Sequence, residues 1–269
     1  MRVQTEEWRR FIPGIRMYKG KKTLFYNGEK LWEGGLHGIP LIHDGEERYS
    51  WEVIIVLPGV EIIPEFTFND CEVKTVIMAD TVKRIEKDAF ADCWSLVFVK
   101  LSRYLEYIGD RAFFGCDSLP SIFVPPSCRE IGGWAFQYCK KLIILTMPRN
   151  VELGCLVFDN TLLMKKSPID TDEDGEYNEG IDEEAIQWVR SINNEEIHAL
   201  HRACSSFNPL SEIIHDLVKR LGINAMRMKN LIGITPSQYL EANTFAVISE
   251  KEIVNRYILD SMGEIVLFR

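Results

Sequence analysis

A chain of 269 residues with 46% apolar and 26% charged side chains can fill one large core or two ordinary ones, and its composition is neither disordered nor collagen-like. A net charge of −9 argues against broad phosphate binding, and no apolar run approaches the roughly 18 residues of a membrane span, so neither nucleic acid nor membrane is an expected partner. The charge is local: Asp170, Asp172, Glu173, Asp174, Glu176, Glu179, Asp182, Glu183 and Glu184 are nine acids in a stretch without a base.

The opening Met1–Glu7 has no basic region followed by an apolar stretch. The seven cysteines are odd in number and contain no C-x-x-C pair. Together these features predict free thiols in a reducing, cytoplasmic setting rather than a disulfide framework or a zinc ribbon. Residues 1–50 show no repeat. Within them, Thr23–Trp32 places Asn27-Gly28 between two apolar arms, which predicts a hairpin serving as an N-terminal cap.

Beyond residue 50 the chain repeats itself. Phe68, Phe90, Phe113 and Phe136 step by 22, 23 and 23 residues, each followed three residues later by Cys71, Cys93, Cys116 or Cys139. Phe158 comes 22 residues after Phe136, without its cysteine. Ile63, Ile85, Ile108 and Ile131 precede the phenylalanines, and Ala89, Ala112 and Ala135 sit beside three of them. After each Cys come apolar triplets such as Leu96-Val99-Leu101 and Leu119-Ile122-Val124. A unit this short cannot bury its own apolar face, so successive units must stack into a solenoid with a continuous core. Alternation at the end of each triplet predicts a short strand.

These units resemble BspA-like leucine-rich repeats over about residues 51–160, carried by Ala89-Phe90…Cys93, Ala112-Phe113…Cys116 and Ala135-Phe136…Cys139. The resemblance implies parallel strands on one face of a curved stack and a role in protein or ligand binding. Val73 in place of the first Leu, the Pro125-Pro126 pair and the degenerate unit at Phe158 depart from the pattern. Stacked strands lie about 4.8 Å apart, which puts the four repeat cysteines in a column. A line of sulfurs is not a tetrahedron, so they are expected to be small buried hydrophobes with no metal.

If Val76, Val99, Ile122 and Leu145 point inward, their neighbours point outward. One outward column is then Thr75, Phe98, Ser121 and Ile144, and the other is Ile77, Lys100, Phe123 and Thr146. Such an apolar strip with a lysine in it is the expected partner-binding site, unless the cap or the C-terminal helices cover it.

Residues 166–184 are expected to form an acidic linker. Asp170-x-Asp172-x-Asp174-Gly175 opens like a calcium loop, but the position needing a bidentate Glu is Ile181. Downstream, Asp182 can cap a helix through Ala185, Ile186, Trp188 and Val189, and Asn194 another through Ile197, Leu200 and Ala203. Ile213, Ile214, Leu217, Val218 and Leu221 have helical period. Thr235-Pro236-Ser237-Gln238 and Ser249-Glu250-Lys251-Glu252 read as further helix starts. The match between His198–Ala203 and Thr235–Leu240, with Gly222-Ile223-Asn224 between, resembles an ankyrin repeat over about 194–245. In that resemblance His201 takes the place of a hydrogen-bonding turn histidine.

The expected fold is therefore an α/β repeat protein: a leucine-rich-repeat solenoid of short parallel strands, then an α-helical ankyrin-like module. The expected divisions are a cap (1–50), the solenoid (51–165), the linker (166–184) and the helical region (185–269). No catalytic fingerprint or cofactor motif is present in the sequence. The expected function is an intracellular protein–protein interaction scaffold or adaptor, not an enzyme. A calcium-responsive tether and an enzyme or ligand pocket between the modules are the alternatives.

Overall fold

The computed structural model describes residues 14–18, 21–28, 50–167, 179–194, 201, 203–204, 211–221, 226–230, 232–240 and 242. The chain divides into two compact units, Met1–Glu195 and Glu196–Arg269.

The first unit is a stack of coils with two parallel ladders. One sheet holds β1 (Gly14–Tyr18), β2 (Lys21–Tyr26), β3 (Ser50–Val56), β5 (Glu72–Met78) and β7 (Phe98–Lys100) in that order. A second ladder consists of the two-residue strands β4 (Ile62–Ile63), β6 (Arg84–Ile85), β8 (Tyr107–Ile108), β10 (Glu130–Ile131) and β12 (Glu152–Leu153). Between them in sequence, β9 (Ser121–Phe123) pairs with β11 (Ile144–Thr146). The first sheet stops at β7 for a local reason. Val97 N–H donates to Lys74 C=O and Ile143 N–H to Pro120 C=O, but Pro120, the equivalent residue between them, has no N–H to offer.

The repeat residues fill the interior. Phe68, Phe90, Phe113 and Phe136 are fully buried, and their rings stack at 5.0, 5.3 and 5.4 Å. Ile63, Ile85, Ile108 and Ile131 form a second buried column. Each phenylalanine is flanked by two left-handed residues: Asp88 and Asp92 about Phe90, Arg111 and Gly115 about Phe113, Trp134 and Tyr138 about Phe136. This kinked backbone donates from alternate residues to the next coil, as in Phe90 N–H to Ala112 C=O (2.8 Å) and Asp92 N–H to Phe114 C=O (2.7 Å). The coils come so close that a Cβ on Gly132 would lie 2.5 Å from the Asp110 backbone nitrogen, which only glycine permits.

Two expectations at the ends change. The hairpin arm Thr23–Tyr26 is a strand, but its antiparallel partner is β1, upstream. Its other neighbour is β3, in parallel. Asn27-Gly28 ends the strand with Gly28 at φ +90°, and the expected second arm lies outside the described residues. A positive φ turns a solenoid corner as readily as a hairpin, and Tyr26 already packs edge-on against Phe68 at 5.1 Å.

At the other end, helix α1 (Glu179–Asn194) begins before Asp182, so Asp182 lies inside the helix and does not cap it. Acids in a first helical turn interact favourably with the helix dipole, which explains why the acidic run enters the helix rather than stopping short of it. Helix α1 belongs to the first compact unit, which ends at Glu195.

Within the second unit, α2 (Ser211–Leu221) matches its expected period, with Ile214 buried and Ile213 exposed. Thr235 and Gln238 form the reciprocal capping box: Thr235 N–H donates to Gln238 Oε1 (2.9 Å), and Gln238 N–H to Thr235 Oγ1 (3.2 Å). The helix expected from Asn194 falls largely outside the described residues, and the start at Ser249 wholly so.

Candidate functional site

The strands place the expected columns in register: Thr75 pairs with Phe98, Ile77 with Lys100, Ser121 with Ile144 and Phe123 with Thr146. Their inward neighbours Val76, Val99, Ile122 and Leu145 are buried, as the alternation requires. The outward face is largely buried too. Ile77 (3%), Phe123 (7%), Phe98, Ser121 and Ile144 (8% each) have almost no contact with solvent. Thr75, Lys100 and Thr146 are half-buried. In this conformation the strand strip is thus a second interior surface, with a partly accessible row along it.

A further group of large side chains lies on the turn ridge. Arg111 and Trp134 occupy the left-handed position before the buried Phe, and Tyr138 the one after it; Arg111 and Tyr138 are exposed, and Phe114 and Trp134 half-buried. The Arg111 guanidinium lies over the rings of Phe114 (5.5 Å) and Trp134 (5.4 Å), and Phe114 meets Tyr138 edge-on at 5.3 Å. Tyr138 is 39% exposed. Sequence reasoning followed only the strand residues and missed this group. The signal was present, because Arg111, Phe114, Trp134 and Tyr138 are large residues at repeat positions that do not face the core.

Acids cluster at the earlier coils of the same ridge. Burial raises the Asp88 carboxyl above the ordinary carboxylate range, with neighbouring acids adding to the effect and Lys87 and Arg111 opposing it. Burial, then Asp70 and Asp117, raise Asp92 likewise.

The cysteine column has a structural role. Cys93, Cys116 and Cys139 donate their thiols to the carbonyls of Phe68, Phe90 and Phe113, at 3.1–3.3 Å. Burial pushes the Cys71 and Cys128 thiols up to about 12, and those of Cys93 and Cys116 well above their ordinary value, which keeps them from being nucleophiles. Among the described residues no cluster of His, Cys, Asp and Glu could hold a metal ion, and the calcium-like Asp170–Gly175 lies outside them. No helix among the described residues is long and apolar enough to cross a membrane.

The last coil is closed by side chains. The carbonyls of Glu61, Lys83, Glu106 and Arg129 each accept from the backbone of the following coil. Val151 is the next member of that column, and its carbonyl instead accepts Arg190 Nη2 from α1 at 2.9 Å, while Nη1 donates to Arg149 C=O at 2.8 Å.

Comparison with known proteins agrees with the repeat. The family described as BspA type leucine rich repeat region matches residues 61–172 in six copies. Similar solved structures include a leucine rich cell surface protein of Faecalibacterium prausnitzii (30% identity, 37% of this chain and 27% of that one, TM-score 0.36). A leucine rich repeat protein of T. pallidum is 23% identical over 56% of this chain and 65% of that one, with TM-score 0.40. A leucine-rich repeat protein of Bacteroides ovatus is 20% identical over 56% and 49%, with TM-score 0.35. The chain thus spans less than two thirds of each of these proteins. No curated protein matches it. Residues 61–172, with their stacked parallel strands and buried Phe–Cys column, are thus similar to the BspA type leucine rich repeat region.

Proposed function

We propose that the protein is a non-catalytic protein-binding scaffold, in which the stacked coils hold contact side chains in fixed columns. Leucine-rich-repeat proteins generally mediate protein–protein interaction. The observation that carries the reading here is the Arg111–Phe114–Trp134–Tyr138 group, an outward cluster of the residue types that dominate binding hot spots. The rigid backbone beneath it lowers the entropic cost of ordering these side chains against a partner.

The strand strip is a second contact surface in this reading, favoured by the partly accessible row of Thr75, Lys100 and Thr146. Its apolar members, Ile77, Phe98, Phe123 and Ile144, with Ser121, would support that row from beneath. The second unit is assigned an ankyrin-like role as a further interaction module. Support comes from His201, whose ring Nε2 lies 3.2 Å from Ile234 C=O, and from the capping box at Thr235. A cytoplasmic setting is supported by all seven cysteines being free.

Affinity capture with the full chain, compared across variants, tests the assignment. Arg111→Glu with Tyr138→Ala is expected to lower recovery of a given partner at least about tenfold, while Lys100→Glu leaves it largely intact. The reverse pattern would move the site to the strand strip, and recovery unaffected by either variant would exclude both surfaces.

A further inference from the structure

We infer that the acidic end of the turn ridge takes a lysine or arginine side chain from a basic segment of the partner, with the rings of Phe114 and Tyr138 beside it. This rests on the scaffold reading above and names the partner's chemistry. Asp88 holds the repeat position of Arg111 and Trp134 and is 7% exposed. Its carboxylate has no hydrogen-bond partner among the described residues. Its oxygens stay open to solvent, unlike Asp159 Oδ1, which is sealed in without a partner. The exposed Glu65 and Asp92 are among the charges it feels, which places it at the ridge surface. A carboxylate so shielded from water binds a charged donor more strongly than a fully hydrated one does.

The acids adjoin the rings. A Cβ on Gly115 would lie 2.5 Å from Asp92 Oδ1, so the Asp92 carboxylate leans onto the next coil over that glycine. Phe114 directly precedes Gly115, and Tyr138 is the counterpart of Gly115 one coil on. The local bases leave the acids uncompensated. Lys140 is paired with Asp117 at 2.8 Å, and the Arg111 guanidinium lies over Phe114 and Trp134. Lys87 and Arg111 draw the Asp88 carboxyl down, but neither is in ion-pair contact with it. After burial, the larger effect, Asp70 and Asp117 hold the Asp92 carboxyl up. These carboxylates repel one another, and a cation among them relieves that repulsion. Among the described residues no such cluster could hold a metal ion. A lysine or arginine instead offers a charged head to Asp88 and Asp92 and an apolar stem to the rings.

The test titrates a capped peptide of alternating lysine and glycine with a central phenylalanine into the full chain. The control is the same peptide with glutamate for lysine. Saturable binding of the basic peptide alone is expected, weakening as salt is raised. Asp88→Asn with Asp92→Asn keeps both side-chain shapes and removes both charges, so affinity is expected to fall at least about tenfold, with the fold intact by circular dichroism. Should the double variant not fold, Asp92→Asn alone decides by the same criterion with a smaller loss. No binding to the unaltered chain, equal binding of the acidic peptide, or undiminished binding to the folded variant would overturn the proposal. If partner capture still falls for Arg111→Glu with Tyr138→Ala, the scaffold reading survives that failure and only the basic partner is lost; capture that is unaffected as well removes both.

Discussion

The interior coils and the closing coil of the solenoid solve one problem by different means. From Phe68 to Phe136 each coil receives its hydrogen bonds from the backbone of the next, and each ring is stacked by another of the column. Beyond Phe158 no further ring of the column follows among the described residues. A helix then supplies what the repeat no longer can: Val189 for apolar cover, and the two donors of Arg190 for the orphan carbonyls of Arg149 and Val151. Repetition makes interior positions interchangeable and intolerant. Closure by side chains relaxes the rule, and there residues such as Asp159 acquire properties the repeat does not require.

The contrast is sharpest in the aromatic column. Phe113→Ala removes a ring packed on both faces by other rings and is expected to cost about 3–5 kcal/mol in urea denaturation. Phe158→Ala is expected to cost less, because α1 can settle into the space; equal losses would erase the distinction. Next in size is Gly132→Ala. Its Cβ would meet the Asp110 nitrogen at 2.5 Å, and the resulting coil separation is expected to cost about 1–3 kcal/mol.

At the closing end, Arg190→Ala is expected to lose about 1.5 kcal/mol and to speed hydrogen exchange in α1 before any interior coil. Arg190→Lys should not restore it, since one ammonium cannot replace the planar pair of donors.

The smallest effect concerns pH. Asp92 has a folded pKa above its unfolded value, so the folded state binds the proton more tightly. Its ionisation therefore destabilises the fold progressively as pH rises from below the unfolded pKa through the raised one. Asp92→Asn, which tolerates the same left-handed backbone, is expected to raise the urea midpoint slightly at pH 7 and not below about pH 3.5. A gain that persists at low pH would assign the effect to packing instead.

Much of this architecture was readable in advance because it is periodic. The Phe, Cys and Ile columns and the strand register follow from spacing, since a short unit can bury those residues only against its copies. The helix start at Thr235 was legible for a different reason, as a capping box is a local pattern. The start of α1 at Glu179 is not legible, because an acidic run looks solvated until a dipole and an apolar surface are beside it. The ridge is harder to read, because its positions recur with the repeat while the residue type there changes from coil to coil, as at Asp88, Arg111 and Trp134.

The order of side chains along 269 residues was thus enough to dictate a stack, its spacing and its core. Three matters were decided only in three dimensions: that the strand strip is buried, that α1 closes the last coil, and that one oxygen of Asp159 has no partner. The physical reason is range. Periodic burial is set by neighbours one coil away and is written into each repeat, whereas cover, closure and unmatched polar atoms depend on segments that meet once and carry no repeated signature.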